Sequence, residues 1–113
     1  MSGPRERFDI ELLSPDDPFE IDWRNRPHLH KHQGLDEDDL WDVWESDPLF
    51  YPAPDAGEAD WLMVAEVPGG DILLVPLAPP RSGDARRCRP IGLYKPTGRT
   101  RDDYRRDLRR RSG

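Results

Sequence analysis

The chain has 113 residues, 35% of them hydrophobic and 35% charged, with a formal net charge of −6 at pH 7. A chain of this length forms one domain and buries roughly 60–70% of its unfolded surface, enough for one small core without staples. The single Cys88 excludes an intramolecular disulfide and a CxxC zinc site, and no apolar run approaches the length of a membrane span or a signal-peptide core. A soluble, cytoplasmic protein without membrane association is therefore expected.

Residues 1–17 are polar and carry Pro4 and Pro15. They predict a flexible lead-in, with an extra strand or short turn over Phe8–Leu13, ahead of one domain over 18–111. FEIDW (19–23) alternates apolar and charged residues, the period of a half-buried strand. Asn25 is placed to cap a short helix over 27–33, with Pro27 in its first turn and Gly34 at its end. A second helix over 36–45 follows. Asp36 stands at its cap, Glu37, Asp38 and Asp39 load the first turn, and Leu40, Trp41, Val43 and Trp44 form its apolar stripe. Asp47 before Pro48 stops it.

Leu49-Phe50-Tyr51 predicts an edge strand at best, because Pro52 and Pro54 close it. Trp61–Val67 reads as a strand and Pro68-Gly69-Gly70 as a turn. Ile72–Val75 is a continuous apolar run, expected in a strand covered on both faces and limited by Pro76. Arg87–Tyr94 predicts one more strand. Thr100 with Asp103 suggests a capped start for a last helix, Arg101–Arg110. This order predicts an α+β fold, with helices segregated from a hairpin-built antiparallel sheet of three to five strands.

Charge is divided along the chain. Residues 81–113 hold twelve basic against four acidic groups, a net of +8, whereas residues 1–80 hold five against nineteen, a net of −14. Such a basic arm seeks phosphate or an acidic partner, unless the two halves pair with each other inside one fold. Arg87 and Arg89 alternate around the last strand, Tyr94 and Lys95 stand at its end, and Arg101, Arg105 and Arg109 share a helix face. Arginine forks match phosphate oxygens, and a tyrosine stacks a base or moves a proton. Metal-independent RNA cleavage needs a base near a 2′-OH, a cation on the phosphate and an acid for the leaving oxygen. His28, His30 and His32 in HLHKH lack a completing ligand set, and Asp36–Asp39 lacks the spacing of a calcium loop, so neither a metal nor another cofactor is expected. Of the four tryptophans, Trp23 and one of Trp41 and Trp44 are expected in the core.

In series, several segments resemble the BrnT-type toxins of bacterial type II toxin–antitoxin modules, in the RelE-like group. They are FEIDW; Asn25, His28 and His32 at spacings of three and four; KHQG (31–34); LDEDDLWDVWESDP (35–48); the strand from Asp71; Arg89-Pro-Ile-Gly-Leu; and Arg99–Arg106. The similarity covers about 19–108. It implies a RelE-like fold with an N-terminal strand, two short helices, an antiparallel sheet and a C-terminal basic helix. It also implies an endoribonuclease toxin that assembles with a cognate antitoxin. On that reading Arg89 and Lys95 hold the scissile phosphate, with His32 also in the catalytic set. Tyr94 donates a proton or stacks, and Lys31, Arg87, Arg101, Arg105 and Arg106 bind flanking RNA. The chain departs from the family where arginines are usual: it has Asp60, Glu66 and Asp71 on the hairpin and Tyr94 on the last strand. Acidic groups there repel phosphate. The alternative is a non-catalytic BrnT-like module that docks an acidic or antitoxin-like protein through its basic arm.

Overall fold

Continuous apolar runs on either side of a Pro-Gly-Gly break organise the middle of the chain into a hairpin, and the remaining elements pack on it. The computed structural model describes residues 6–21, 36–54 and 57–112. The described residues form strands β1 (Leu49–Pro52), β2 (Trp61–Glu66), β3 (Ile72–Ala78) and β4 (Arg89–Pro90), and helices α1 (Glu37–Glu45) and α2 (Gly98–Ser112). The strands make one antiparallel sheet in chain order. Gly69 and Gly70 turn the β2–β3 hairpin at φ of 105° and 96°, values that side-chain-bearing residues rarely adopt.

Register divides the hairpin into two apolar faces. Met63 pairs with Val75 and Ala65 with Leu73, and these join Leu77, Phe50, Leu40 and Val43 in the larger core. Val64 pairs with Leu74 and lies with Ile72, Leu49 and Tyr51 against Tyr104 and Leu108. The two helices therefore cover opposite faces of the sheet, in keeping with the expectation of a β3 strand covered on both faces. The reason is the unbroken apolar run of β3, which must hide both faces.

Asp36 caps α1 as the sequence predicts. Its carboxylate accepts from the Asp38 and Asp39 N–H groups, and the Asp39 carboxylate accepts from Asp36 N–H at 2.8 Å. Trp41 and Trp44 are both half-buried, each edge-on to Phe19 with ring centroids 5.0 and 5.5 Å apart. Trp23 and the helix expected over 27–33 lie outside the described residues. After α1, Asp47 adopts φ of 56°, an unusual conformation for a residue with a side chain. Arg111 of α2 clamps it there, reaching the Asp47 carbonyl and carboxylate at 2.8 Å and the Pro48 carbonyl at 3.2 Å.

Three boundaries differ from expectation. β3 continues through Pro76 to Ala78, because the Pro76 carbonyl accepts from Ile91 N–H on the β4 side. The missing proline donor therefore falls outside the β2 ladder. The strand expected over Arg87–Tyr94 is interrupted. Arg89–Pro90 pairs with β3, while Cys88 and Tyr94 make single bridges, to Phe19 and Leu74. Pro90 lacks a donor and Gly92 has no side chain to pack, which accounts for the break. Helix α2 starts at Gly98, ahead of the expected Thr100 cap.

Residues 6–17 pack on the body, and of the extra strand or short turn expected over Phe8–Leu13 the structure forms the turn, a single 3-10 turn at Ile10–Leu12. Leu13 is buried, and Phe8 and Ile10 pack on the larger core. The Arg7 guanidinium donates to the carbonyls of Ala53 and Asp60, and Phe8 N–H donates to the Asp60 carboxylate, each at 3.0 Å. The Trp44 and Trp61 indoles donate to the carbonyls of Pro15 and Phe8. Further on, the strand expected over 19–23 is represented by Phe19, whose bridge to Cys88 is parallel. Glu20 beside it organises the turn at 81–82, accepting from Arg81 N–H at 2.8 Å, Ser82 N–H at 3.2 Å and the Ser82 hydroxyl. Burial raises the Glu20 pKa, but the hydrogen bonds from Ser82 and Arg81 and the charge of Arg87 outweigh it, and the net shift is downward.

A carboxylate with a depressed pKa stabilises the fold above its unfolded value, about 4.3 for glutamate, and that contribution is lost as pH falls through the folded value. Glu20→Gln should therefore lower the thermal midpoint at pH 7, and the gap to wild type should close below about pH 4. A gap constant from pH 7 to pH 3 in thermal melts would contradict this assignment.

Candidate anion-binding site

The structure sorts the basic arm into residues tied to the body and residues left outside. Arg87 donates to the Phe19 carbonyl and pairs with Asp17 at 3.2 Å. The Arg89 side chain is only 11% exposed; its Nε donates to the Pro79 carbonyl at 3.0 Å and Nη1 lies 3.9 Å from Glu58. Arg106 pairs with Asp103 at 3.0 Å and Asp107 at 3.4 Å, along its own helix. With Arg111 on Asp47, three of these four reach the acidic half of the chain. To that extent the two halves do pair within one fold.

Arg101, Arg105 and Arg109 are exposed and form no ion pair with any described residue. Their placement follows from Tyr104, which is 2% exposed and accepts from Glu66 N–H at 3.0 Å. With Tyr104 turned onto the sheet, Arg101 and Arg105 both lie to one side of it, which brings them together at one edge of the helix. Arg101 and Arg105 then meet Lys95 and Pro96, from the loop before α2, and Gly70, Asp71 and Ile72, from the hairpin, around a cleft of about 170 Å³. Lys95 lies 3.8 Å from Asp71, with both side chains well exposed. Such a pair is weak and is readily exchanged for another anion. The counter-charge of Asp71 inside the cleft follows from the register: Tyr94 bridges Leu74, which brings Lys95 to the turn end of β3.

Tyr94 is 41% exposed, and its position opposite Leu74 puts it on the α2 face of the sheet. Its ring lies over Gly92. A Cβ at Gly92 would come within 2.8 Å of the ring carbon Cζ, so glycine is what lets the ring lie flat there.

The expected set is thus only partly assembled. Lys95, Arg101 and Arg105 come together, with Tyr94 next to Lys95. Arg89 does not join them. It pairs opposite Ala78, whereas Lys95 follows the residue opposite Leu74. Along a strand that is a separation of about 15 Å, with the Arg89 side chain directed to other partners. The two cannot hold one scissile phosphate. Arg87 serves as a staple for the segment around Phe19, and Arg106 is neutralised by its helix neighbours. Lys31 and His32 lie outside the described residues.

Acidic residues expected to repel phosphate also separate. Asp60 is 1% exposed and structural, holding the N-terminal segment, so it presents no charge to a ligand. Glu66 and Asp71 are exposed. Burial pushes the Cys88 thiol up to about 12, which leaves it un-ionised at neutral pH. On the other flank of α2, a cavity of about 120 Å³ is lined by Tyr51, Leu62, Thr100 and Asp103. There the Tyr51 hydroxyl donates to the Asp107 carboxylate at 2.8 Å. That bond lowers the Asp107 pKa, while burial and then Asp107 raise that of Tyr51. This contact docks the helix.

No family model matches the chain, and neither the curated proteins nor the solved structures contain a match. Among the described residues no helix is long and apolar enough to cross a membrane, and no group of three or more His, Cys, Asp or Glu side chains is arranged to hold a metal ion.

The sorting of the arginines has a direct consequence for stability. Arg89→Ala removes a charge-assisted hydrogen bond from a nearly buried site and should cost about 1.5–3 kcal/mol in urea unfolding. Arg101→Ala and Arg105→Ala should each stay within about 0.5 kcal/mol of wild type. Equal losses at all three positions would contradict the division.

Proposed function

We propose that the protein binds single-stranded RNA by seating phosphate in the Lys95–Arg101–Arg105 cleft. The observation that carries this reading is the convergence of three cations from two chain segments on one concave site. Arg101 and Arg105 there have no ion-pair partner among the described residues, and Lys95 is held only by a loose pair to Asp71. Two arginine forks and a lysine match phosphate oxygens, and an exposed tyrosine beside them offers a face for a base. The resemblance to BrnT-type toxins favours RNA over an acidic protein as the primary ligand. It also supplies the expected regulator, an antitoxin that would have to cover this cleft.

RNA cleavage by Arg89 and Lys95 acting together is not part of the proposed function, since the two lie at different ends of β3. The exposure of Tyr94 next to Lys95 favours one second reading, in which bound RNA is cut with Tyr94 moving a proton. Tyr94→Phe would then abolish cleavage and leave affinity unchanged.

Fluorescence anisotropy with a short single-stranded RNA tests the main reading. Three phosphate contacts predict a slope of about −2 in log affinity against log salt, falling by about 0.7 for each cation removed. Arg101→Ala and Arg105→Ala should each weaken binding about tenfold or more. If the wild-type protein binds no RNA at low salt but captures an acidic protein through α2, it is a docking module instead.

A further inference from the structure

We propose that the cleft seats a phosphomonoester, so that the protein prefers RNA ending in a phosphate over the same RNA with hydroxyl ends. The inference rests on the RNA-binding reading for the molecule that delivers the phosphate. The seat itself rests on the convergence of charge in the cleft.

Lys95, Arg101 and Arg105 face a single anionic group within the cleft, Asp71. The balance of +2 suits a terminal phosphate, which carries about −1.5 to −2 at pH 7 and three acceptor oxygens. An internal phosphodiester has one charge and two free oxygens, and would leave one of the three donors idle. The cleft is open to solvent and is bordered by the hairpin end at Gly70 and Asp71, the loop at Lys95 and Pro96, and α2.

Further exposed cations lie on α2. Arg109 is exposed one helical turn beyond Arg105, without an ion pair to any described residue. Residues four apart rise about 6 Å along a helix, close to the spacing of successive phosphates in an extended strand. Arg87 is occupied on Asp17, Arg89 on Glu58 and Arg106 on its helix neighbours, whereas Arg99 and Arg110 are, like Arg109, exposed without an ion pair to any described residue. Arg109 thus offers a next contact for a strand that leaves the cleft along α2. Asp71 is the groove's own competitor. Its loose pair with Lys95 must open when phosphate enters.

One short single-stranded RNA, prepared with a 5′-phosphate, with a 3′-phosphate or with both ends hydroxyl, tests this by anisotropy on the full chain. One phosphorylated form should bind about tenfold tighter than the hydroxyl form, and which form it is defines the polarity of the strand. Arg101→Ala should erase the preference. Asp71→Asn should tighten the phosphorylated RNA several-fold more than the hydroxyl RNA, a gain that a damaged fold does not produce. Equal binding of the three RNAs, with Arg101 still required, overturns the phosphomonoester seat and leaves the RNA reading standing. If no RNA binds, but a phosphoserine peptide does so through Arg101, the seat stands and the RNA reading falls.

Discussion

Burial of the β2–β3 hairpin on both faces is the constraint from which the rest of the molecule follows. Met63, Ala65, Leu73 and Val75 need one cover, and Val64, Ile72 and Leu74 need another. Helix α1, with Leu40, Val43 and two tryptophans, supplies the first. The second must come from α2, a 15-residue helix carrying only Tyr104 and Leu108 as apolar anchors in that cluster. An isolated helix of that length is marginal in water, so docking decides whether it forms. Burying an aromatic side chain contributes about 3–5 kcal/mol relative to alanine. Tyr104 therefore dominates, with the Tyr51–Asp107 bond and the Arg111 clamp fixing rotation and end. Once Tyr104 faces the sheet, the positions of Arg101, Arg105 and Arg109 are determined.

The opposite charges of the two halves have a different role from the one their number suggests. Exposed pairs such as Arg87–Asp17 and Lys95–Asp71 contribute at most about 1 kcal/mol each. Their effect is to allocate cations. Arginines held by carbonyls and carboxylates are withdrawn from the exposed basic surface, and Arg99, Arg101, Arg105, Arg109 and Arg110 of α2 are left without an ion pair to any described residue, two of them beside Lys95 in one cleft. A molecule with an overall charge of −6 can thus still present a local site that attracts phosphate.

Much of the architecture was legible. Asp36 and its acidic first turn, the Pro-Gly-Gly turn and the apolar run of β3 are local signals, and each element stands where those signals place it. The layer arrangement was less so, because which face α2 covers depends on how Tyr104 meets Glu66, a contact between residues 38 apart. The same limit applied to the site. Helical spacing groups Arg101 with Arg105, but only the strand register brings Lys95 to them and takes Arg89 away. Asp60 shows the limit most sharply. In sequence it is one more acidic residue on a hairpin; in the fold it is a buried anchor for Phe8.

If the basic arm is divided between structural arginines and a site for phosphate, NMR of the arginine side-chain Nε–Hε signals during titration with a short phosphorylated RNA will separate the two groups. Arg101 and Arg105 should shift with saturation, while Arg87, Arg89 and Arg111 stay in place. Equal shifts at all arginines, or shifts centred on Arg89, would contradict that division.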